Sequence, residues 1–342
     1  MEIEGGIMSV TERYDALFVD IFGVLFDGAA LYERVLQTLE KLRRNGKKII
    51  ILSNSTQISE DAKVGYSQKG MVEGVHYDRF ITSGEFLRHV IVNQREEFSK
   101  RMGMDAQTVK CIFMGNSGIF QGSHLKKTDD YESADFLYLG VPRISYGAVR
   151  MDDVLDESNK PVSLEDVLHS DWHKLKDSQG RRGFSEFAHQ LEICLEKNKV
   201  LLAANPDIFS PGTLDHTRFR YPIVTQGCIG AYYEKLGGKV VYFGKPFREI
   251  FEYAKTMTGG LPDEKIAMIG DTPWTDIVGA NAAGISSIMV LTGIPTEFFD
   301  RMPRSMTIDE KLDRLLDKIA PKIAKINGSL KPNHVLRRFS QS

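Results

Sequence analysis

ALFVDIFGVLFDGAALYE, residues 16–33, opens with an apolar run that ends in a single carboxylate, Asp20, before FGVLFDG turns the chain. A buried strand delivers one reactive group to a sheet edge in this way. On its own, an Asp at a strand end is most often a turn or helix cap. The residue two places on is Phe22, where a second acid would give the site a proton donor.

Working outward, similar short β-rich runs end in small or polar residues: KKIIILSNS (47–55), KVVYFGK (239–245), KIAMIGD (265–271) and SSIMVLTG (286–293). Helical patterns lie between them. YERVLQTLEKLRRNG puts Val35, Leu36, Leu39 and Leu42 on one face and stops at Gly46, and PFREIFEYAKTMTGG and TDIVGANAAG also end in glycine. Continuously apolar strands joined by helices predict a parallel α/β sheet covered on both faces. The rhythm breaks over 84–220, which reads as an inserted α+β domain whose polar stretch 145–182 is its least ordered part or a loop excursion. The reading therefore gives a core from 1–83 and 221–300, the insertion at 84–220, and a C-terminal helix with a frayed, solvated basic tail at 301–342.

A formal net charge of -2 with 26% charged residues gives no electrostatic reason to expect nucleic acid or an anionic membrane as partner. Three cysteines without paired or metal-ligand spacing predict a reduced compartment. No apolar run approaches the roughly 18 residues of a spanning helix, and the first residues lack the apolar region of a signal peptide. The expected location is cytoplasmic.

Ligands of an open parallel sheet gather beyond the carboxyl ends of its strands. Four of the predicted strands end in groups suited to phosphate chemistry: Asp20, Ser53 with Asn54, Lys245, and Asp271. Asp20 suits attack on phosphorus as a carboxylate nucleophile. Two anions approach only with a divalent cation between them, for which Asp271 supplies a second carboxylate and Asp276 support. Hard oxygen donors favour Mg2+. Lys245 would neutralise charge growing on the transferring phosphoryl group, and Ser53 would hold its oxygens. Thr272 and Thr275 read as helix caps.

DIFGVLFDG, LSNST, GKPFREIF and IGDTPWTDIVGANAAG, in that order, resemble the four motifs of the haloacid dehalogenase superfamily. AANPD (203–207) with TQGCIGAYYEKLGGK resembles the return from cap to core in the class IIA branch, which includes NagD, p-nitrophenyl phosphatases and pyridoxal phosphatase. The resemblance implies a Rossmann-like core with a C2-type cap. It implies Asp20 as nucleophile, Ser53 as phosphate contact, Lys245 as charge stabiliser, Asp271 as metal ligand with Asp276 in support, and the backbone carbonyl of Phe22 as a further ligand to magnesium. Asn205 and Asp207 would contact substrate, a small phosphorylated metabolite, and caps of this type imply a homodimer. The expected activity is that of a phosphatase-like hydrolase.

Phe22 departs from the family pattern, in which an Asp protonates the leaving oxygen and later activates water. Assistance of that kind is typically worth about 10²–10⁴-fold, so slow turnover of generic esters is expected. Asp27, His89, His124 and His189 are the candidate replacements. The alternative is a regulatory protein that binds phosphate and metal without turnover. Dehalogenases carry an aromatic residue at this position but need no metal, so Gly270 and Asp271 of the fourth motif speak against dehalogenation.

Overall fold

The computed structural model describes residues 4–104, 109–114, 118–140, 185–207, 209–210, 223–224, 226–299, 302–323 and 328–340. The stretch 145–182, read as the least ordered part of the insertion or a loop excursion, lies outside them. In chain order the strands are β1 (Ala16–Val19), β2 (Lys48–Ser53), β3 (Arg79–Thr82), β4 (Val109–Met114), β5 (Leu125–Lys127), β6 (Phe136–Leu139), β7 (Val200–Ala203), β8 (Phe209–Ser210), β9 (Ile223–Val224), β10 (Val240–Tyr242), β11 (Ile266–Gly270), β12 (Ser286–Val290) and β13 (His334–Leu336). The chain divides into two compact units, one of residues 1–55, 59–83 and 244–342, the other of 56–58 and 84–243.

The first unit is built on a six-stranded sheet of order β13-β12-β11-β1-β2-β3, parallel throughout. Every residue of β1 and β11 is buried, as expected of central strands covered on both faces. The helix Val35–Arg44 buries Val35, Leu39 and Leu42 at its helical period. Sequence order runs outward from β1 in one direction and returns to its other side at β11, so the carboxyl ends of these two neighbours form a topological switch point. Ligands of open α/β sheets bind at such points.

The second unit holds a five-stranded parallel sheet of order β10-β7-β6-β4-β5 and the antiparallel pair β8-β9. Leu137, Leu139, Leu191, Leu201 and Tyr233 pack in its core.

Two expectations need correction. The break between core and insertion falls at 243/244 and not at 220/221, because β10 pairs with β7 from Val240↔Leu201 to Tyr242↔Ala203. Tyr242 also packs over Gly230, where an added Cβ would lie 2.6 Å from its hydroxyl. The run KVVYFGK therefore belongs to the other sheet from Asp20. The C-terminal helix is present at Ile308–Ile323, but the basic tail is not frayed. Residues His334–Leu336 add a sixth parallel strand beside β12, and Leu336 and Phe339 are buried in the core of the first unit. The N-terminal segment ties down the same strand: the Glu4 amide donates to the Val335 carbonyl at 2.9 Å, and His334 sits between the Glu4 carboxylate (2.5 Å) and the Tyr14 hydroxyl (2.9 Å).

Candidate active site

Asp20 follows β1 directly, and its amide still donates to the Ile269 carbonyl of β11 at 3.0 Å. That bond carries the ladder one residue beyond the strand and leaves the carboxylate at the switch point, 13% exposed. Asp271 follows β11 in the same manner and is buried. Pro273–Ile277 then forms a π-helical turn that brings Asp276 back, fully buried. Oxygen atoms of Asp20, Asp271 and Asp276 all lie within 4.8 Å of one another.

Lys245 faces this cluster of like charge. It is 1% exposed, and its Nζ lies 2.9 Å from Asp20 Oδ1 and 2.7 Å from Asp276 Oδ1. Burial alone would drive the ammonium toward the neutral form, but the two carboxylates outweigh it and hold its pKa above the ordinary lysine value. Burial pushes the Asp276 carboxyl up to about 6, against the pull of Lys245 and with the help of Asp20. The lysine is thus a fixed cation whose charge is shared between the nucleophile candidate and a carboxylate that no solvent reaches.

Lys245 does not sit at the end of a core strand, as its sequence context implied. It enters the first unit on the loop after β10, and Asn54 holds it there. The Lys245 amide donates to Asn54 Oδ1 at 2.7 Å, and Asn54 Nδ2 donates to the Lys245 carbonyl at 2.9 Å. Asn54, expected to contact substrate, holds the lysine backbone through both ends of its side-chain amide. Ser53 is buried at the end of β2, beside β1, and its hydroxyl accepts the Ser55 amide at 3.2 Å.

Asp271 is fixed by neighbours that the sequence reading missed. Gly23 and Gly293 both adopt positive φ, 79° and 66°, and a Cβ on either would come within 2.1 Å of Asp271 Oδ2. Only glycine leaves room for the carboxylate. Thr292 binds the chain across this point through its hydroxyl on the Gly23 carbonyl. Thr272, read as a helix cap, instead donates its hydroxyl to Asp271 Oδ1 at 3.1 Å and its amide to Asp276 Oδ2 at 3.1 Å. The glycine after a strand-like run was visible in SSIMVLTG, but nothing local told which side chain it would face.

Phe22 lies on the turn after Asp20 and packs against the core of the first unit. Of the candidate replacements for the absent acid, Asp27 caps its own turn, with Oδ1 accepting the Ala29 and Ala30 amides at 2.8 and 2.7 Å. His89 and His124 belong to the second unit, and the side chain of His189 lies outside the described residues. Asn205 and Asp207 are also in the second unit, on the turn after β7, where Asn205 Oδ1 accepts the Asp207 amide at 2.8 Å.

Three carboxylates with no soft donor among them suit a hard divalent cation such as magnesium. No helix among the described residues is long and apolar enough to cross a membrane.

Comparison with known proteins adds independent support. A family model described as haloacid dehalogenase-like hydrolase matches residues 17–121, and a second, HAD-hydrolase-like, matches 242–317. The chain is 25% identical over 309 residues to the cardiolipin synthase (CMP-forming) / mitochondrial hydrolase fusion protein of Schizosaccharomyces pombe, covering 81% of this chain and 48% of that protein. It thus spans about half the length of that relative. It is 21% identical over 324 residues to the chloroplastic phosphoglycolate phosphatase 1A of Arabidopsis thaliana, covering 92% of this chain and 79% of that one. Among solved structures, the 4-nitrophenylphosphatase of Thermotoga maritima superposes with a TM-score of 0.57 at 21% identity, covering 97% of each chain. The two matched stretches contain Asp20, Ser53, Lys245 and Asp271 between them, and the chain belongs to the haloacid dehalogenase-like hydrolases, with the fold of the p-nitrophenyl phosphatase branch.

Proposed function

We propose that the protein is a magnesium-dependent phosphohydrolase of a small phosphorylated metabolite, acting through an aspartyl-phosphate at Asp20. The observation that carries this reading is the buried Lys245, bridged to Asp20 at 2.9 Å and to Asp276 at 2.7 Å beside the Asp271 carboxylate. A merely structural scaffold has little physical need for a buried cation among three carboxylates, since burying charge is costly.

In the first step an Asp20 oxygen bonds to phosphorus while the bond from phosphorus to the leaving oxygen breaks. Lys245 offsets the negative charge on the transferring group, and Ser53 holds one of its oxygens. Water then attacks phosphorus, the bond to Asp20 breaks, and inorganic phosphate leaves. Asp20, Asp271 and the Phe22 carbonyl would hold Mg2+ with Asp276 in support, and the ion would supply charge neutralisation between nucleophile and phosphate. Asn205 and Asp207 are assigned to substrate choice, in a cytoplasmic homodimer.

Hydrolysis of p-nitrophenyl phosphate and a panel of metabolite phosphates with magnesium tests the reading. Loss of turnover in Asp20→Asn is the expected result; activity that survives this change overturns the covalent route. Phe22 favours a second reading, a phosphate-binding protein without turnover. Phosphate binding by an inert wild type, with turnover appearing in Phe22→Asp, would select it.

A further inference from the structure

A chain of aromatic contacts starts two residues after Asp20. Phe22 meets Phe26 edge to face, with centroids 5.3 Å apart and planes at 78°, and Phe26 meets Tyr66 in the same manner at 5.7 Å and 88°. Tyr66 in turn leans on Phe80 at 5.8 Å. Phe26 and Phe80 are buried, whereas Phe22 and Tyr66 are half-buried. Phe22 is two residues from the candidate nucleophile. Tyr66 comes from the helix Ser59–Ser67, which follows the strand β2 that ends in Ser53.

The hydroxyl of the half-buried Tyr66 makes no hydrogen bond to another described residue, which leaves it free to donate to a ligand. Burial, and secondarily the charge of Asp20, push its pKa well above the ordinary tyrosine value. It is therefore a donor that keeps its proton at neutral pH. A site with Phe22 in place of an acid cannot protonate a leaving oxygen, but it can hold a planar apolar group against two aromatic rings.

Resting on the phosphohydrolase reading above, we infer that Phe22 and Tyr66 form the seat of the leaving group and that the substrates are phosphate esters of aromatic or enolic hydroxyls. The Tyr66 hydroxyl donates a hydrogen bond to the bridging oxygen. As the bond to phosphorus breaks, that oxygen departs as an anion stabilised by the hydrogen bond and takes its proton from solvent, while Tyr66 remains neutral. Resonance in the leaving group replaces the missing acid.

The test uses the full chain with magnesium and two non-hydrolysable probes, phenylphosphonate and methylphosphonate, followed by calorimetry. An aromatic pair is worth roughly two- to ten-fold in affinity, so two rings are expected to favour the phenyl probe by about ten-fold or more. Phe22→Leu, which keeps apolar bulk and removes the ring, should cut that preference several-fold. Tyr66→Phe should leave phenylphosphonate affinity within about two-fold and lower kcat on phenyl phosphate by about ten-fold or more, because the bridging oxygen gains charge only during reaction. Equal binding of both probes by the wild type, or an unchanged kcat in Tyr66→Phe, overturns the inference and leaves the phosphohydrolase reading standing. Binding of neither probe overturns that reading as well.

Discussion

Phe22 separates two tasks that one site ordinarily combines. Charge stabilisation rests on Lys245 and the carboxylates around it, whereas leaving-group protonation has no side chain at the position where the family carries one. Putting an acid back should therefore act on the second task alone. Phe22→Asp is expected to raise kcat on alkyl phosphates by about 10²–10⁴-fold and to change aryl phosphates far less, as a substrate panel would reveal. An equal gain on both classes would mean that Phe22 obstructs binding. Asn54 gives a second residue-scale prediction. Its two bonds to the Lys245 backbone, at 2.7 and 2.9 Å, leave a buried amide and carbonyl unpaired if the side chain is removed. Each orphan costs roughly 1–3 kcal/mol, so Asn54→Ala should lower stability by about 2 kcal/mol or more and reduce kcat together with it. A denaturant midpoint that does not move would deny Asn54 its positioning role.

β13 is three residues long, yet it completes the sheet of the first unit. Phe339, just beyond it, is 1% exposed in the same core as Leu336. Truncating a buried Phe costs about 3–5 kcal/mol, so Phe339→Ala should show a large drop in thermal midpoint where a solvated tail would show none. The sequence did not disclose this element because HVL, flanked by Asn333 and two arginines, is too short for periodicity to register. Its partner β12 is more than forty residues earlier, and the pairing from Ile288↔His334 to Val290↔Leu336 is a tertiary fact. The misplacement of β10 has the same origin: an apolar run announces a strand without naming its sheet. β1, β2 and β11 were readable because each is a continuous buried run closed by a polar residue, and the same feature exposed Asp20, Ser53 and Asp271. What local pattern could not give was partnership, hence the missed roles of Gly23, Gly293, Thr272 and Asn54.

Across the whole chain, formal charge nearly cancels at -2, but the switch point does not share that balance. Three carboxylates with oxygens within 4.8 Å are opposed, among the described residues, by the ammonium of Lys245, which already bridges two of them. Repulsion among these groups opposes folding, so a divalent cation bound only by the folded chain should stabilise it, by about 2.7 kcal/mol when present at 100 times its dissociation constant. Magnesium is therefore expected to raise the thermal midpoint in a concentration-dependent manner, with a chelator reversing the shift. Asp271→Asn removes one negative charge from the cluster while keeping its shape. Without metal this variant should be at least as stable as the wild type, and with metal its midpoint should barely move. Lys245→Met has the opposite sign: it leaves Asp20 and Asp276 facing each other unopposed, so it should be the least stable without metal and gain the most from it. A thermal midpoint of the wild type that ignores millimolar magnesium would mean that Lys245 alone balances the cluster, and the metal would have to be removed from the reading of this site.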